Sequence, residues 1–313
     1  MATASRIRRI LRNVGLILLA LIAIFFLGVV PWFFTSILTQ GTFHYPDAND
    51  GKTPKSFNLD FQWIEFSSPD GVPLKGWYIP AEGAAKGTIV YCHGLNRTRV
   101  EMLPNAVFGH SLRYNGLLFD FRHQGMSGGK ITTLGYQERL DVQAAVRYAL
   151  DHEHAARPVV VWGVSMGAAS ALMAAAETPE IDAVISDSSY DSFLGTLGHH
   201  LKLFLHLPAF PIAYEVGYWT AWRGNFHPGD FDLVKAVDRI GNRPILFVAV
   251  EGDRRMPPSI AQTLYSHARS PLRKILVLPG IRHGEGFNQA RAPYEKAVTD
   301  FLANLSSGRS GQD

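Results

Sequence analysis

The sequence predicts an α/β fold, a mostly parallel central sheet with helices on both faces. Three observations predict it. Short continuous apolar runs recur at residues 88–92, 117–119, 159–162, 183–185, 245–250 and 275–278, as in strands buried on both faces. Helical patterns separate them: Val142, Ala145, Val146, Ala149 and Leu150 fall at i, i+3, i+4, i+7 and i+8, and Tyr294, Ala297, Val298, Phe301 and Leu302 repeat that spacing. The run at 159–162 leads directly into Gly163-Val164-Ser165-Met166-Gly167, which reads as a strand turning sharply into a helix. Strand–helix alternation of this kind needs helices on both sheet faces to cover the parallel strands.

The elements in order begin outside the fold. Residues 14–34 carry no charge and are mainly Leu, Ile, Val and Phe, and about 20 apolar residues suffice to cross a bilayer as a helix. Arg6, Arg8, Arg9 and Arg12 precede the run, and no Lys or Arg follows until Lys52. The positive-inside bias places the amino terminus in the cytoplasm and the rest on the periplasmic or lumenal side. A cleaved signal peptide is the rival reading, but its apolar core usually spans about 7–15 residues and ends at a small-residue cleavage site. The expected organisation is a basic cytoplasmic tail (1–13), a transmembrane helix (14–36), a linker (37–58), a folded domain (59–305) and a small polar disordered tail (306–313).

Strand signals at 61–66 and 74–79, joined by Ser68-Pro69-Asp70-Gly71, predict an antiparallel hairpin. One stretch breaks the alternation. Residues 188–241 carry Phe193, Phe204, Phe210, Tyr214, Tyr218, Trp219 and Trp222 without a clean strand. A structureless loop that long is improbable in a compact domain, so a small helical cap over the active site is expected. A peripheral packing insertion is the alternative.

Composition narrows the function. The apolar fraction is 47% and the charged fraction 18%, which suits a globular protein with a substantial core. The net charge is +3, and four arginines lie in the first twelve residues, so the remainder is about neutral. No basic stripe is left to bind nucleic acid. The single cysteine, Cys92, excludes an internal disulfide and a multi-cysteine zinc site. His199, His200 and His206 lack a carboxylate or cysteine at ligand spacing, so no metal is expected.

A serine hydroxyl needs a base within hydrogen-bond reach to act as a nucleophile at neutral pH. His283, on the loop after the strand at 274–278, is the candidate base for Ser165. Asp253, just after the strand at 245–250, is the candidate partner that orients the imidazole. Asp187, at the end of an earlier strand, is the alternative acid. The chain order Ser, Asp, His belongs to one sheet architecture. The developing oxyanion needs donors, expected from the backbone N–H groups of Met166 and of Leu95 in His93-Gly94-Leu95-Asn96. His93 is read as a residue that bonds backbone and shapes that loop rather than as a second base.

Five motifs in sequence order carry a resemblance: His93-Gly94, Asp120-Phe121-Arg122-His123-Gln124-Gly125-Met126-Ser127, Gly163 to Gly167, Asp253 followed by Pro257, and Gly280-x-x-His283. Over roughly residues 60–305 the chain resembles the α/β-hydrolase superfamily, specifically the serine-aminopeptidase-like branch of membrane-anchored hydrolases. The resemblance implies the α/β-hydrolase fold, an oxyanion loop at His93-Gly94, a nucleophile elbow at Ser165, an acid loop at Asp253 and a histidine loop at His283. Asp120, Arg122 and Ser127 are expected to tie a loop near the site. The chain departs from the family where Val250 stands in place of the glycine three residues before the acid, with Gly252 displaced.

The expected activity is therefore a serine hydrolase working through an acyl-enzyme on an ester, thioester or amide, with no cofactor. An aromatic, Leu-rich cap beside a bilayer points to a lipophilic acyl substrate. Lipase, thioesterase and peptidase share this chemistry, and fold does not choose among them. The rival class is a non-catalytic, membrane-tethered binding module, whose signature would be a lost triad member.

Overall fold

The computed structural model describes residues 2–41, 43–153 and 155–307. An eight-stranded sheet runs in the order β1-β2-β4-β3-β5-β6-β7-β8. The strands are β1 (Gln62–Ser67), β2 (Pro73–Ile79), β3 (Gly87–Cys92), β4 (Tyr114–Phe119), β5 (Val159–Val164), β6 (Ala183–Asp187), β7 (Ile245–Val250) and β8 (Lys274–Leu278). β2 pairs antiparallel with both β1 and β4, and every other pairing is parallel. This is the α/β-hydrolase fold, and the hairpin predicted at 61–79 is its β1–β2 edge.

β3, β4, β5 and β7 are buried along their whole length. That is why they read as unbroken apolar runs: helices cover both faces, so neither face of the pleat needs polar side chains. On one face Val90, Leu117, Val161, Val184 and Phe247 pack with α4 (Glu138–His152), α5 (Met166–Glu177) and α8 (Leu233–Ile240). On the other Ile89, Leu118, Trp162, Ile185 and Val248 pack with α3 (Leu103–Ser111) and α11 (Arg291–Ser307). The two sets alternate along each strand, as the period of two requires. Edge strand β8 is only partly buried.

The amino-terminal helix extends past 14–36 in both directions. α1 (Ala2–Ile24), a π-helical turn (Phe25–Val29) and α2 (Val30–Gln40) form one continuous helical segment, and Ser5–Gln40 is long and apolar enough to cross a membrane. The linker expected from residue 37 therefore begins after Gln40. The reason is packing: Pro31, Thr35 and Thr39 are buried against α7 (Ile212–Arg223), which keeps the last turns helical. Beyond the helix, Tyr45 N–H donates to the Asn96 carbonyl at 2.9 Å, and Arg97 donates to the Pro46 carbonyl at 2.8 Å. The linker thus lies against the loop after β3.

Residues 188–241 contain α6 (Phe193–His200), a π-helical turn (Leu201–Leu205), α7 and α8. α6 lines the pocket described below, whereas α8 packs on α5 in the helix layer. At the carboxyl end, Ser306 and Ser307 finish α11. The rest of the tail expected to be disordered, 308–313, lies outside the described residues.

Candidate active site

Ser165 sits between β5 and α5 with φ 54° and ψ −117°, a left-handed backbone that a sharp elbow imposes. The flanking glycines are steric requirements. A Cβ on Gly163 would collide with the Gly167 backbone, and a Cβ on Gly167 with the Cys92 carbonyl at the end of β3. The bend projects the hydroxyl beyond the carboxyl ends of the strands, where β3, β7 and β8 also deliver their following loops.

The structure brings together three side chains distant in the chain. Ser165 Oγ and His283 Nε2 lie 2.9 Å apart, and His283 Nδ1 and Asp253 Oδ2 lie 2.6 Å apart. Asp253 is buried, and its other oxygen, Oδ1, accepts from the Arg255 and Met256 N–H groups at 2.9 and 2.8 Å. A carboxylate at Nδ1 holds the proton there and leaves Nε2 free to accept the serine proton. Asp187, the alternative acid, is engaged elsewhere: it accepts from Tyr294 OH at 2.9 Å and Ser188 Oγ at 2.8 Å. Burial pushes its carboxyl up to about 6, and those two hydrogen bonds oppose the rise.

The residues expected to supply the donors line the same cavity as Ser165. Met166 opens α5, so its N–H is one of the helix-start groups without an intrahelical acceptor. Gly94 stands beside Ser165, its Cβ position 3.7 Å from the serine Cβ. Among the described residues the next amide, Leu95 N–H, meets no acceptor, and Leu95 lines the pocket with Met166. His93 is fully buried, with Nε2 accepting from Phe121 N–H at 3.0 Å and Nδ1 placed 2.8 Å from the Gly94 carbonyl. Those partners select the Nδ1–H tautomer, and burial pushes its pKa down to about 4. It is a neutral brace for the loop.

Asp120 and Arg122 lie away from the hydroxyl and tie the loop after β4. Asp120 accepts from Arg99 N–H at 2.8 Å, from the Arg99 guanidinium and from Met126 N–H at 2.7 Å. Ser127 Oγ donates to the Asp120 carbonyl. Arg122 bridges buried Asp141, at 2.6 Å, and Asp70, at 2.7 Å. Removing one partner of a buried pair strands the other charge, at a cost of about 3–5 kcal/mol. Arg122→Ala is accordingly expected to lower the melting temperature strongly, with Asp141→Asn in the same background recovering part of the loss in thermal denaturation.

Glu101 escaped the sequence reading. Its Oε2 accepts from Gly94 N–H at 2.6 Å, and its Oε1 lies 3.3 Å from Arg97 Nε. Nothing in the sequence marks it, because it follows the loop by seven residues without a motif. Burial pushes its carboxyl up to about 7, against the Gly94 N–H and Arg97, which favour the charged form. A raised folded-state pKa means that the folded chain holds this proton above the unfolded value, so stability falls as pH rises from about 4.5 to about 7. Glu101→Gln keeps an oxygen for Gly94 and removes the charge. Its gain in melting temperature over wild type is expected to be larger at pH 8 than at pH 5; an equal gain at both would show that Glu101 ionises normally.

Ser165, His283 and Asp253 line one cavity of about 1490 Å³. Ile37 and Leu38 of the amino-terminal helix and Leu203 and Phe204 after α6 contribute apolar walls. Among the described residues no cluster of His, Cys, Asp and Glu is arranged to hold a metal ion.

Residues 87–204 match a family model described as the alpha/beta hydrolase fold. An uncharacterised protein of Bacillus subtilis, YqkD, is 27% identical over 238 residues, 75% of this chain and 77% of the relative. Protein bem46 of Schizosaccharomyces pombe is 24% identical over 310 residues, 96% of this chain and 95% of its own. Among solved structures, the Pyrococcus furiosus esterase Pf2001 superposes with a TM-score of 0.70 at 25% identity, covering 84% of this chain and 97% of the esterase.

Proposed function

We propose that this α/β hydrolase is a serine esterase anchored by its amino-terminal helix, acting through an acyl-enzyme. The observation that carries the reading is the continuous relay from Asp253 through His283 to Ser165, at 2.6 and 2.9 Å. Ser165 Oγ attacks the substrate carbonyl while His283 Nε2 takes its proton. The negative charge on the carbonyl oxygen falls between the N–H groups of Leu95 and Met166. The tetrahedral intermediate collapses as His283 hands the proton to the leaving group. Water, deprotonated by the same imidazole, then releases the acid. No step needs a cofactor.

The likeness to an esterase supports ester chemistry, and the apolar walls of the cavity support a lipophilic acyl chain. The arginines before the apolar helix support a cytoplasmic amino terminus, with the hydrolase body on the opposite face of the membrane. The test is labelling of the full chain in detergent with a fluorophosphonate probe. The expected result is one adduct, on Ser165, absent from Ser165→Ala and from heat-denatured protein. Folded wild type that takes no label would favour a binding module instead.

A further inference from the structure

The cap leaves a long apolar face uncovered. Phe210, Tyr214, Tyr218 and Trp222 recur every four residues and so form one stripe along α7 and its approach. Phe210 and Trp222 are 74% and 73% exposed, and Phe204, Leu205 and Leu207 extend the surface. The opposite side of α7, with Ala213, Val216, Gly217 and Thr220, is buried, meeting Leu194 of α6 and Thr35 of α2. A helix that is apolar on its inner side and aromatic on its outer side is close to hydrophobic all round, and its outer side needs a partner that is not water.

The depth of its neighbour identifies that partner. α7 lies along the outer half of the amino-terminal helix, touching α2 and the turn Phe25–Val29. Arg223 donates to Ser36 Oγ at 2.9 Å and to Thr39 Oγ1 at 3.1 Å, and its guanidinium stands 5.8 Å from the Trp32 ring. The last charge before the apolar run is Arg12. A span of about 20 residues counted from there reaches about residue 33. α7 therefore touches helix turns that the bilayer itself surrounds, and it cannot do so from bulk water.

We propose that the stripe Phe210–Tyr214–Tyr218–Trp222 is inserted in the headgroup and upper acyl region of the membrane that holds the anchor. This rests on the anchor reading above. Tyrosine and tryptophan are the side chains that favour that depth. The flanking charge fits anionic headgroups: Lys202, Arg254 and Arg255 are exposed, and none has a carboxylate partner among the described residues. Arg255 lies 5.6 Å from the Phe204 ring, which ties this charge to the apolar surface. The acidic residues nearby in sequence are Glu215, Glu251 and Asp253; Asp253 is buried against His283 and Glu215 is half-buried, so among fully exposed side chains here the basic ones outnumber the acidic. The cavity wall formed by Ile37, Leu38, Leu203 and Phe204 then opens at the headgroup level, so an acyl chain passes from lipid to Ser165 without crossing water.

The test uses the full chain in vesicles of phosphatidylcholine and phosphatidylglycerol. Single cysteines are introduced as Phe210→Cys, Trp222→Cys, Phe26→Cys in the anchor, and Glu180→Cys in the exposed loop before β6, at the strand ends opposite the site, each labelled with an environment-sensitive dye. Cys92 is buried and stays unlabelled in folded protein. A face seated about 5–10 Å below the headgroups lies within reach of a shallow doxyl lipid, which should cut emission from 210 and 222 by about twofold. The label at 180 should keep its full intensity. Labels at 210 and 222 that behave like the one at 180, with 26 quenched, overturn the docking and leave the anchor standing. Loss of quenching at 26 as well removes the anchor reading. Equal quenching at 180 shows unspecific adhesion and also overturns the proposal.

Discussion

Ser165→Ala should lower kcat on a p-nitrophenyl ester by about 10⁴- to 10⁶-fold, the range expected when a nucleophile that works with its base as a unit is removed. That corresponds to about 5–8 kcal/mol of transition-state stabilisation. The fold should be untouched. Ser165 Oγ bonds only to His283 among the described residues, and the positive φ at the elbow is already paid for by the native serine. The melting temperature of the variant should therefore match wild type. The residual rate should stay above the uncatalysed one, because Leu95 and Met166 N–H groups remain to meet an oxyanion on attack by water. Retention of more than about a tenth of wild-type kcat would remove Ser165 from the chemistry, since no truncated nucleophile leaves so much.

Asp253→Asn should cost about 10³- to 10⁴-fold in kcat, and the reason is geometric. Asp253 Oδ1 is held by two backbone donors, Arg255 and Met256 N–H. In the variant those donors keep the amide oxygen, which turns the NH₂ group toward His283 Nδ1. Nδ1 must then accept, the ring proton moves to Nε2, and the imidazole can no longer take a proton from Ser165. The loss should appear in kcat with little change in KM. Asp187→Asn is the paired measurement. Asp187 bonds Tyr294 and Ser188 rather than the imidazole, so its substitution should alter kcat by less than about tenfold. The reverse ranking of the two variants would transfer the orienting role to Asp187.

The strands were readable because a doubly covered parallel sheet demands unbroken apolar runs, and β3, β5 and β7 carry them. The elbow was readable because only glycine fits at 163 and 167. Position after a strand and the acid-loop motif favoured Asp253 over Asp187, but the contact that separates the two was not readable. Both follow strands on the same side of the sheet, and the difference lies in which one the tyrosine of α11 captures. Glu101 was silent because its importance comes from the Gly94 amide it meets, a contact without a sequence period. The helix extending to Gln40 was hidden for a similar reason. Thr35 and Thr39 are ordinary polar residues until α7 packs over them.

By itself the sequence determined the sheet, the order of its loops, the serine on its bend and the apolar amino-terminal segment. Each of these follows from local steric rules or from burial that repeats along the chain. Only the tertiary structure decided which carboxylate meets the imidazole, which amides around Ser165 are left free, and that α7 lies along the amino-terminal helix. Those outcomes depend on directional contacts between segments up to 187 residues apart, such as Arg223 to Ser36. Hydrogen bonds of that kind are fixed by the relative placement of whole elements, and composition and spacing carry no record of it.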